Sequence, residues 1–262
     1  RGGWRVIATL RNARARAELF KEELASGQFH LHELDVTKDE DRQAAAKLIE
    51  TQFGGRLDCL VNNAGYGVFG ALEDVSEQQL REQMEVNFFG LALTTRALLP
   101  ALRQARGRVI NVSSVLGFIG MPMTSLYCSS KFAVDGLSES LRFELEPHGV
   151  QVTVVQPGSF RTSFTQNQQY GERTFDESSP YFEWSKALKR YRERRAAGAG
   201  TPPDEVIRKI IKLANSEHTP LRIRCGKDAR GVYAMKRLLP ERLQWSVMAM
   251  AFRRMFDTSG QK

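Results

Sequence analysis

Short runs of β-branched and aromatic residues alternate with longer segments of helical periodicity along most of the chain. This alternation is typical of strand-helix-strand units that build a parallel sheet. Strands are predicted at residues 4–10, 29–34, 57–62, 107–112, 150–155 and 221–224. The pattern therefore predicts an α/β fold.

Helices are predicted between these strands, at residues 12–25, from 37 onward, from 76 toward 103, at 127–145 and at 205–215. Two of them are expected to start at capping boxes, formed by Thr37 with Glu40 and by Ser76 with Gln79. Thr201 is expected to cap the helix at 205–215, which has prolines just ahead of its first turn.

Several predicted strands, such as residues 57–61 and 152–155, are almost continuously apolar instead of alternating between apolar and polar positions. Strands of this kind are buried on both faces of a sheet. We therefore expect a doubly wound parallel sheet with helices on both faces. In such sheets, ligands bind beyond the carboxyl ends of the strands.

The composition is that of an ordinary globular chain, because 42% of its 262 residues are hydrophobic and 26% are charged. This length predicts one domain over residues 1–262. The cysteines and histidines show no spacing of a zinc site, so no metal is expected and a reducing cytoplasm is predicted. No apolar run reaches the roughly 18 residues of a membrane span, and no signal-peptide pattern is found.

The formal net charge of +8 and the isoelectric point near 9.6 are compatible with an anionic partner. Much of the basic excess follows residue 185, in runs such as residues 186–195 that are typical of solvated helix faces. Because no nucleic-acid-binding motif accompanies this charge, no nucleic-acid partner is predicted.

Polar and small residues follow the predicted strands. Asn63, Ala64 and Gly65 come directly after the strand at 57–62, where small residues let a ligand approach the backbone. Asn87 lies in the middle of a predicted helix, an unfavourable position for this residue type. Alone, the first motif also fits a turn and the second an exposed surface residue.

Ser114 follows the strand at 107–112, and Tyr127 and Lys131 share one face of the next predicted helix. This set suits hydride-transfer chemistry, in which the substrate oxygen gains or loses a proton. Tyr127 is expected to act as acid or base, with its pKa drawn toward neutral by the Lys131 ammonium and a positive nicotinamide ring. Ser114 would hydrogen-bond the substrate oxygen, and Asn87 would hold a water that relays protons through Lys131.

The order and spacing of these motifs resemble those of the short-chain dehydrogenases/reductases, which have a Rossmann fold. The resemblance covers residues 4 to about 164 and includes Asn62-Asn63-Ala64-Gly65, Asn87, Val112-Ser113-Ser114, Tyr127 to Lys131, Pro157-Gly158 and Thr162. It implies a nicotinamide-dependent oxidoreductase that acts on an alcohol or carbonyl group. The catalytic residues that it implies are Asn87, Ser114, Tyr127 and Lys131.

The resemblance also implies cofactor contacts. Asp35 and Val36 would border the adenine, and Lys131 would bind the nicotinamide ribose beside Tyr127. The remaining contacts that it implies, along the cofactor and at its nicotinamide end, are Asn63, Ala64, Gly65, Pro157, Gly158 and Thr162. On this scheme residues 1–158 form the cofactor-binding core, 159–200 the substrate loop, and 201–262 a C-terminal helix, strand and tail.

The start of the chain departs from the family pattern. The family's first strand and its Thr-Gly-x-x-x-Gly-x-Gly turn precede a segment like residues 1–6 and are not found in this sequence. That turn is the main pyrophosphate site, so a shortened gene model or clone is expected, and the alternative is a chain that has lost cofactor binding. Weak cofactor affinity and unpaired backbone groups beside the missing strand are also expected.

Arg11 stands directly after the first predicted strand, where an acidic side chain would take the ribose hydroxyls of NAD. An arginine there pairs with the 2′-phosphate of NADP. NADP is therefore the predicted cofactor. NAD stays open as the alternative, because a solvated Arg at the start of a helix fits the same position.

The segment at residues 159–200 is rich in aromatic side chains, at positions 160, 164, 170, 175, 181, 182, 184 and 191. Such density suits an apolar substrate under a lid, and it equally suits packing of the lid itself. Residues 63–72 also resemble the family branch that contains 17-beta-hydroxysteroid and retinol dehydrogenases. A steroid-, retinoid- or lipid-like alcohol or carbonyl is therefore the predicted substrate.

The tail at residues 235–256 combines apolar residues with arginines. It is expected to pack against the body or a second subunit, in a homodimer or homotetramer, and the alternative is peripheral contact with an anionic membrane. Two functions of different class stay open. The intact Ser114, Tyr127 and Lys131 favour an NADP-dependent enzyme, and the missing glycine turn favours a non-catalytic interaction protein that keeps the fold.

Overall fold

The computed structural model of the chain describes residues 3–162, 164, 167–197 and 201–255. Its strands are β1 (Val6–Leu10), β2 (Phe29–Glu33), β3 (Cys59–Asn62), β4 (Val68–Phe69), β5 (Arg108–Val112), β6 (Gln151–Pro157), β7 (Gln169–Tyr170) and β8 (Arg222–Cys225). Its α-helices are α1 (Lys21–Ala25), α2 (Asp39–Gln52), α3 (Glu77–Met84), α4 (Leu91–Ala105), α5 (Ser125–Leu145), α6 (Phe182–Ala197), α7 (Asp204–Asn215), α8 (Lys227–Leu238) and α9 (Glu241–Met255). A π-helical segment, Glu85–Gly90, joins α3 to α4, and a 3-10 helix, Arg14–Phe20, precedes α1.

Every strand pair among the described residues is parallel. The central sheet has the order β3-β5-β6-β8, while β1 pairs with β2 and β4 pairs with β7 in two separate pairs. Helices α4, α5 and α7 connect successive strands of the central sheet. The predicted α/β class with a parallel sheet is therefore confirmed.

The sheet is interrupted between β1 and β3. In the Rossmann-type order 3-2-1-4-5-6, β2 and β1 take positions 3 and 2, and β3, β5 and β6 take positions 4, 5 and 6. No strand of the described residues takes position 1, so β1 and β3 each pair along one edge only. Val6 of β1 and Val61 of β3 are 43% and 41% exposed.

Helices cover both faces of the central sheet. Val109 of β5 packs in one hydrophobic core with Leu102 of α4 and Leu145 of α5. The next residue, Ile110, packs in a second core with Leu213 of α7. Successive side chains of a strand point to opposite faces, so both faces of this strand are buried against helices. This explains why the predicted strands are almost continuously apolar.

The capping box predicted at Ser76 is confirmed, because its side chain and that of Gln79 each accept from the other's backbone amide. The box predicted at Thr37 is wrong, since α2 has Lys38 at its N-cap and no side-chain cap. The Thr37 hydroxyl donates instead to the Asp35 carboxylate, 2.7 Å away. The Asp35 carboxylate, two residues earlier in the chain, thus competes successfully with the helix amides for the Thr37 hydroxyl.

The cap predicted at Thr201 is also wrong, because α7 begins at Asp204 with Pro203 at its N-cap. Thr201 lies outside the helix, and its carbonyl oxygen accepts a hydrogen bond from the Arg161 amide at 3.0 Å. It therefore ties the end of the 159–200 segment to its beginning.

Within the part of the chain that is described, no helix combines the length and the apolar character needed to cross a membrane. The same residues contain no group of three or more His, Cys, Asp or Glu side chains placed to hold a metal ion. Cys59, Cys128 and Cys225 are free thiols.

Candidate active site

The site residues predicted from the sequence lie at the carboxyl ends of parallel strands. Residues 63–65 follow β3, Ser114 follows β5, and Gly158 follows β6. Parallel strands place these ends on one edge of the sheet. Residues 63–65 are exposed along this edge, so their backbone is open to a ligand.

Asn87 lies in the π-helical segment between α3 and α4 and is fully buried. Its Oδ1 accepts from the Tyr66 amide at 3.0 Å, and its Nδ2 donates to the Tyr66 carbonyl and the Ser130 hydroxyl at 2.9 and 3.0 Å. These bonds offset the poor helix propensity of Asn, because they satisfy groups on other elements. A π-bulge of this kind is frequent at functional sites. The alternative of an exposed surface residue is wrong.

Gly65 keeps a space open beside Asn87 and Lys131. A Cβ at this position would lie 3.0 Å from Asn87 Oδ1 and 3.6 Å from Lys131 Nζ. The amide oxygen and the ammonium therefore face the same small space at the sheet edge. The structure thus brings together Gly65, Asn87 and Lys131, which were all predicted from the sequence.

Tyr127 and Ser114 are both buried, and the Ser114 hydroxyl lies close enough to the phenol to lower its pKa. The Tyr127 ring packs against Phe69 and Phe164, with centroid distances of 5.7 and 5.5 Å. Burial raises the pKa of Tyr127 to about 12, and the nearby Ser114 hydroxyl opposes this rise without cancelling it. The expected lowering of this pKa by Lys131 and the nicotinamide ring together stays a prediction for the protein with its cofactor bound.

Lys131 is only 5% exposed, one helical turn beyond Tyr127 on α5. Its Nζ donates to the Val112 carbonyl at 3.0 Å and lies 5.8 Å from the centroid of the Tyr127 ring. Burial lowers the pKa of Lys131 to about 8, while the charge of Asp135 acts in the opposite direction. The lysine is thus held next to the phenol with a proton that is easily lost.

A buried polar network holds the ends of β5 and β6 against α5. Asp135 accepts from the Ser113 hydroxyl at 2.5 Å and from Gln156 Nε2 at 2.6 Å, and Arg222 Nε lies 3.4 Å away. Burial raises the pKa of Asp135, although these three partners oppose the rise. Sequence analysis missed Asp135, yet its position one turn beyond Lys131 on the same helix face was a usable signal.

A second buried network crosses the sheet below the site. Asn62 Nδ2 donates to Asn111 Oδ1 at 2.8 Å and to Thr95 Oγ1 at 2.9 Å. Asn111 Nδ2 donates in turn to the Ser138 hydroxyl at 2.9 Å. The amide side chains therefore bridge β3, β5 and α5 and fix the strand ends that carry the site.

An open cleft of about 310 Å³ lies at the carboxyl ends of β1 and β2. It is lined by charged and amide side chains, which are Arg11, Asn12, Arg16, Glu33, Asp35, Lys38 and Asp41. The structure thus brings Arg11 and Asp35, both predicted from the sequence, to one place. Sequence analysis missed Arg16 and Lys38, because they lie outside the strand-end positions that it searched.

Two contacts shape the walls of this cleft. The Glu33 carboxylate accepts from the amides of Asn12 and Ala13 at 2.9 and 3.0 Å, and it thereby fixes the turn that follows β1. Val36 packs against Gly90, where an added Cβ would lie 2.6 Å from the Val36 Cγ2 atom. Val36 therefore lies where the cleft meets the segment that carries Asn87.

Asp35 is ionised more readily than an ordinary aspartate. Burial by itself would raise the pKa of Asp35, but hydrogen bonds from the Thr37 amide and hydroxyl bring it below its usual value. The charges of Arg11 and Lys38 act in the same direction as these bonds. The cleft therefore contains fixed negative as well as positive charge.

Pro157 closes β6, and the Gly158 amide donates to the Cys225 carbonyl of β8 at 2.9 Å. The Asp228 carboxylate packs so closely on Gly158 that a side chain there would clash with it. Thr162 lies on the exposed loop that follows, and its Oγ1 accepts from the Phe164 amide at 3.3 Å. Pro157 and Gly158 thus lie on the strand-end edge, and Thr162 lies on the adjoining loop.

Part of the aromatic 159–200 segment surrounds the site. Phe164, Tyr170 and Tyr181 pack against a cluster that contains Phe69 and Tyr127. The aromatic residues of this segment that pack elsewhere or are exposed include Phe160, Phe175 and Trp184. Residues 163, 165–166 and 198–200 of the predicted loop lie outside the described residues.

The C-terminal helix α9 packs on the body through Met248 and Phe252. Its opposite side exposes Leu243, Val247 and Met250, which are 52%, 46% and 57% accessible to solvent. Residues 256–262, which include the end of the predicted tail surface at Phe256, lie outside the described residues.

Known proteins resemble this chain over most of its length. It is 36% identical over 220 residues to a 3-ketodihydrosphingosine reductase of Bacteroides thetaiotaomicron, covering 83% of this chain and 80% of that protein. It is 32% identical over 249 residues to retinol dehydrogenase 8 of Bos taurus, covering 90% of this chain and 77% of that protein. A solved short-chain dehydrogenase from Streptomyces avermitilis has a TM-score of 0.75 and 31% identity, covering 95% of this chain and 90% of that chain.

Residues 1–173 match the family model of the short chain dehydrogenases. This range contains all the residues predicted to be catalytic, on the strands and helices described above. The predicted likeness to the branch that contains retinol dehydrogenases is confirmed by the bovine relative. The chain therefore belongs to the short-chain dehydrogenase family of oxidoreductases.

Proposed function

We propose that the chain is an NADP-dependent dehydrogenase or reductase that interconverts an alcohol and a carbonyl on an apolar substrate. The observation that carries this proposal is the buried set of Ser114, Tyr127 and Lys131 at the strand-end edge. A hydroxyl partner and an ammonium next to one phenol are costly to bury, and perturbed pKa values of this kind are frequent at catalytic sites.

The residues along this edge fit a dinucleotide. The exposed backbone at 63–65 permits close approach, and the space kept by Gly65 lies in front of Asn87 and Lys131. When bound, the cofactor would supply or accept the hydride. The residues that we propose to contact it along this edge are Asn63, Ala64, Gly65, Tyr127, Lys131, Pro157, Gly158 and Thr162.

The cleft at β1 and β2 favours NADP over NAD. Arg11, Arg16 and Lys38 together line it, and a guanidinium pairs well with a phosphate monoester such as the 2′-phosphate. The nearby carboxylates are already engaged, since Glu33 accepts from two backbone amides and Asp35 accepts from Thr37. Beside these cations, Asp35 and Val36 would border the adenine.

Tyr127 would donate a proton to the substrate oxygen during carbonyl reduction. A pKa of about 12 keeps the phenol protonated at neutral pH, so it is ready to act as the acid. Ser114, which lies next to the phenol, would hold the substrate oxygen within reach. In the alcohol direction the phenol must release its proton, and the Lys131 ammonium would favour the phenolate. Asn87 would position a water that relays that proton through Lys131.

The substrate is proposed to have an apolar, lipid-like body. The phenol of Tyr127 faces Phe69 and Phe164, so the region next to the reacting atoms is aromatic. The names of two relatives, a 3-ketodihydrosphingosine reductase and a retinol dehydrogenase, support a lipid-like substrate class. Both observations favour long or bulky apolar alcohols and carbonyls over sugars.

The test is an assay of the purified chain with NADPH or NADH against a panel of steroid, retinoid and aliphatic carbonyls. We expect turnover with at least one apolar carbonyl, a preference for NADPH, and a large loss in a Ser114→Ala variant. A folded protein that binds NADPH but turns over no member of the panel, in either direction, would favour the non-catalytic alternative.

The exposed apolar side of α9 supports a second, separate proposal, which is peripheral contact with an anionic membrane. Leu243, Val247 and Met250 form a stripe along the helix, and Arg242 and Arg253 lie beside it. Sedimentation with anionic and neutral vesicles at low salt checks this proposal. Binding to the anionic vesicles alone supports it, while a dimer in solution that hides the stripe would replace it.

A further inference from the structure

Arg192 of α6 is a half-buried cation in the wall next to the candidate active site. Its guanidinium carbon lies 3.5 Å from the centroid of the Phe69 ring, so the group stacks on that ring. Its Nε donates to Gln168 Oε1 at 2.8 Å. Neither partner carries a negative charge, so the guanidinium is only partly compensated.

Some other partly buried arginines of the chain have carboxylate partners, whereas Arg108 and Arg142 donate to backbone carbonyls and Arg224 stacks on Tyr233. Arg42 pairs with Asp39 at 3.1 Å, and Arg222 pairs with Asp135 and Glu139. For Arg192, none of the described residues offers a carboxylate within ion-pair distance.

Burial lowers the pKa of Arg192, while the phenols of Tyr170, Tyr127 and Tyr191 act in the opposite direction. A guanidinium stays charged in proteins at all working pH values, so this cation is ready to accept an anion.

The position of Arg192 relates it directly to the reacting atoms. Phe69 contacts both groups, with its ring 5.7 Å from that of Tyr127 and 3.5 Å from the Arg192 guanidinium carbon. The guanidinium and the Tyr127 phenol therefore flank the same buried aromatic ring, which places the cation in the wall next to the reacting atoms. A substrate with an apolar body and an anionic group would match this combination of aromatic side chains and a cation.

We propose that Arg192 binds a carboxylate of the substrate, and that the substrate is a hydroxy acid or oxo acid with an apolar body. This inference rests on the proposed function, because it names the substrate class of the same site. The planar guanidinium offers two parallel N–H donors to a carboxylate, which gives orientation as well as affinity. A neutral alcohol would leave the cation unpaired, and an ammonium-bearing substrate would be repelled.

A purely structural role makes a different prediction. Arg192 ties α6 to Gln168, next to β7, and to Phe69 of β4, so its removal would then disturb all substrates alike. The two roles are therefore separated by substrates that differ only in charge. A matched control is available on the same helix, because Lys186 is paired with the surface residue Glu183 and lies over Phe182.

The experiment compares the unsubstituted chain with Arg192→Gln, Arg192→Lys and the control Lys186→Gln. The probes are a medium-chain 3-oxo acid, its methyl ester and a 2-amino-3-ketone of equal length. We expect the unsubstituted chain to prefer the acid over the ester at least about tenfold in kcat/KM, because a charge-assisted hydrogen bond is lost in the ester. The amino-ketone should be the poorest substrate.

In Arg192→Gln, kcat/KM for the acid should fall by about 10- to 100-fold, mainly through KM, with the ester unchanged. Arg192→Lys should lose less, since it keeps the charge but not the two parallel donors. Lys186→Gln should behave as the unsubstituted chain. Equal losses for acid and ester in Arg192→Gln, or no preference for the acid before substitution, would overturn the inference.

Binding of an unreactive fatty acid of the same length, measured as a rise in Tm, separates this inference from the proposed function. If the chain reduces none of the probes, yet the fatty acid raises Tm in the unsubstituted chain and not in Arg192→Gln, the proposed function fails and the anion site remains. If the ester is reduced but the fatty acid does not bind, the proposed function remains and the anion site is wrong.

Discussion

Two regions of the molecule carry the proposed chemistry, and they are built in different ways. At the ends of β3, β5 and β6, the polar side chains are buried and their hydrogen bonds are made within the fold, as for Asn87 and Lys131. At the ends of β1 and β2, Arg11 and Lys38 are exposed around an open cleft. The first region holds its polar groups in internal hydrogen bonds, and the second presents its charges to solvent.

The sheet explains this difference. The strands β3, β5, β6 and β8 form one continuous sheet with helices on both faces. The pair β1–β2 is attached to the rest mainly through contacts such as that of Ile7 with the core around α2 and α4. Catalytic groups therefore rest on a four-stranded layer, while the cleft rests on a separate pair of strands. Substitutions in the two regions should accordingly differ in kind.

The largest effect is expected from Tyr127→Phe. This change removes only the proton donor and keeps the packing against Phe69 and Phe164, so the fold and NADPH binding should persist. We expect kcat to fall by about 100- to 10,000-fold, the usual worth of a positioned acid. Steady-state kinetics and NADPH fluorescence titration measure the two quantities. A variant that keeps more than a few per cent of kcat would remove Tyr127 from the mechanism.

The second prediction concerns Lys131→Met and the pH dependence of stability. The folded pKa of Lys131 lies at about 8, below its ordinary 10.5, so the unfolded chain binds more protons between these values. The free energy of unfolding therefore rises with pH between about 8 and 10.5. The contribution of Lys131 is fully present above 10.5 and is lost as the pH falls through about 8. The unsubstituted chain should gain about 3 kcal/mol relative to Lys131→Met across this range.

Urea titrations of both proteins at pH 7 and pH 10 measure most of this difference, because all other titrating groups are shared and cancel. If the free energies of unfolding of the two proteins change equally between these pH values, the lysine is solvated in the folded chain and the prediction is wrong. The same variant should lose turnover, so stability at neutral pH and activity are expected to oppose each other at this position.

The third prediction tests the cleft at β1 and β2. Arg11→Gln should weaken NADPH about tenfold and leave NADH nearly unchanged, since only NADPH offers the extra phosphate to this exposed side chain. Arg14→Gln, an equal change of charge at an exposed position outside the cleft lining, is the matched control. The measurement is the dissociation constant of NADPH and of NADH for the unsubstituted chain and for both variants. Equal losses for NADPH and NADH would make Arg11 an ordinary surface residue.

The smallest effect is expected from Glu33→Gln, which weakens the acceptor for the Asn12 and Ala13 amides. Loss of a capping carboxylate at an exposed turn costs about 1 kcal/mol or less. NADPH affinity should fall a few-fold through misplacement of Arg11, whereas unfolding by urea should barely change. Glu23→Gln, at an exposed position of α1, serves as the control. A loss of several kcal/mol would show that the cleft is as rigid as the catalytic wall.

The strand-end positions could be found from the sequence, because parallel strands in a buried sheet are long apolar runs with clear ends. Ser114 was found in this way, whereas Tyr127 and Lys131 were found by their spacing on the next helix, and the structure brings the three together. The direction of the Tyr127 pKa could not be found in this way. It depends on how completely the ring is buried by Phe69 and Phe164, which lie far away in the chain.

Helix capping shows the same limit of sequence analysis. Ser76 caps α3 as the pattern indicates, but Thr37 donates to Asp35 and leaves α2 without a side-chain cap. The two motifs look alike in sequence, and they differ because one has a competing acceptor two residues away. The position of Arg192 beside the candidate active site could not be predicted either, since its stacking on Phe69 joins residues more than a hundred positions apart.

The sequence by itself determined the order of the six main strands and of most helices between them, the buried character of the sheet and the identity of the candidate acid, because these follow from hydrophobic periodicity and from motifs of fixed spacing. Only the tertiary structure decided which polar groups share an environment. It united Gly65, Asn87 and Lys131 at one space, joined Arg11 with Arg16 and Lys38, and set Arg192 against the ring beside Tyr127. Desolvation and charge pairing depend on distances in space, and spacing along the chain does not encode them.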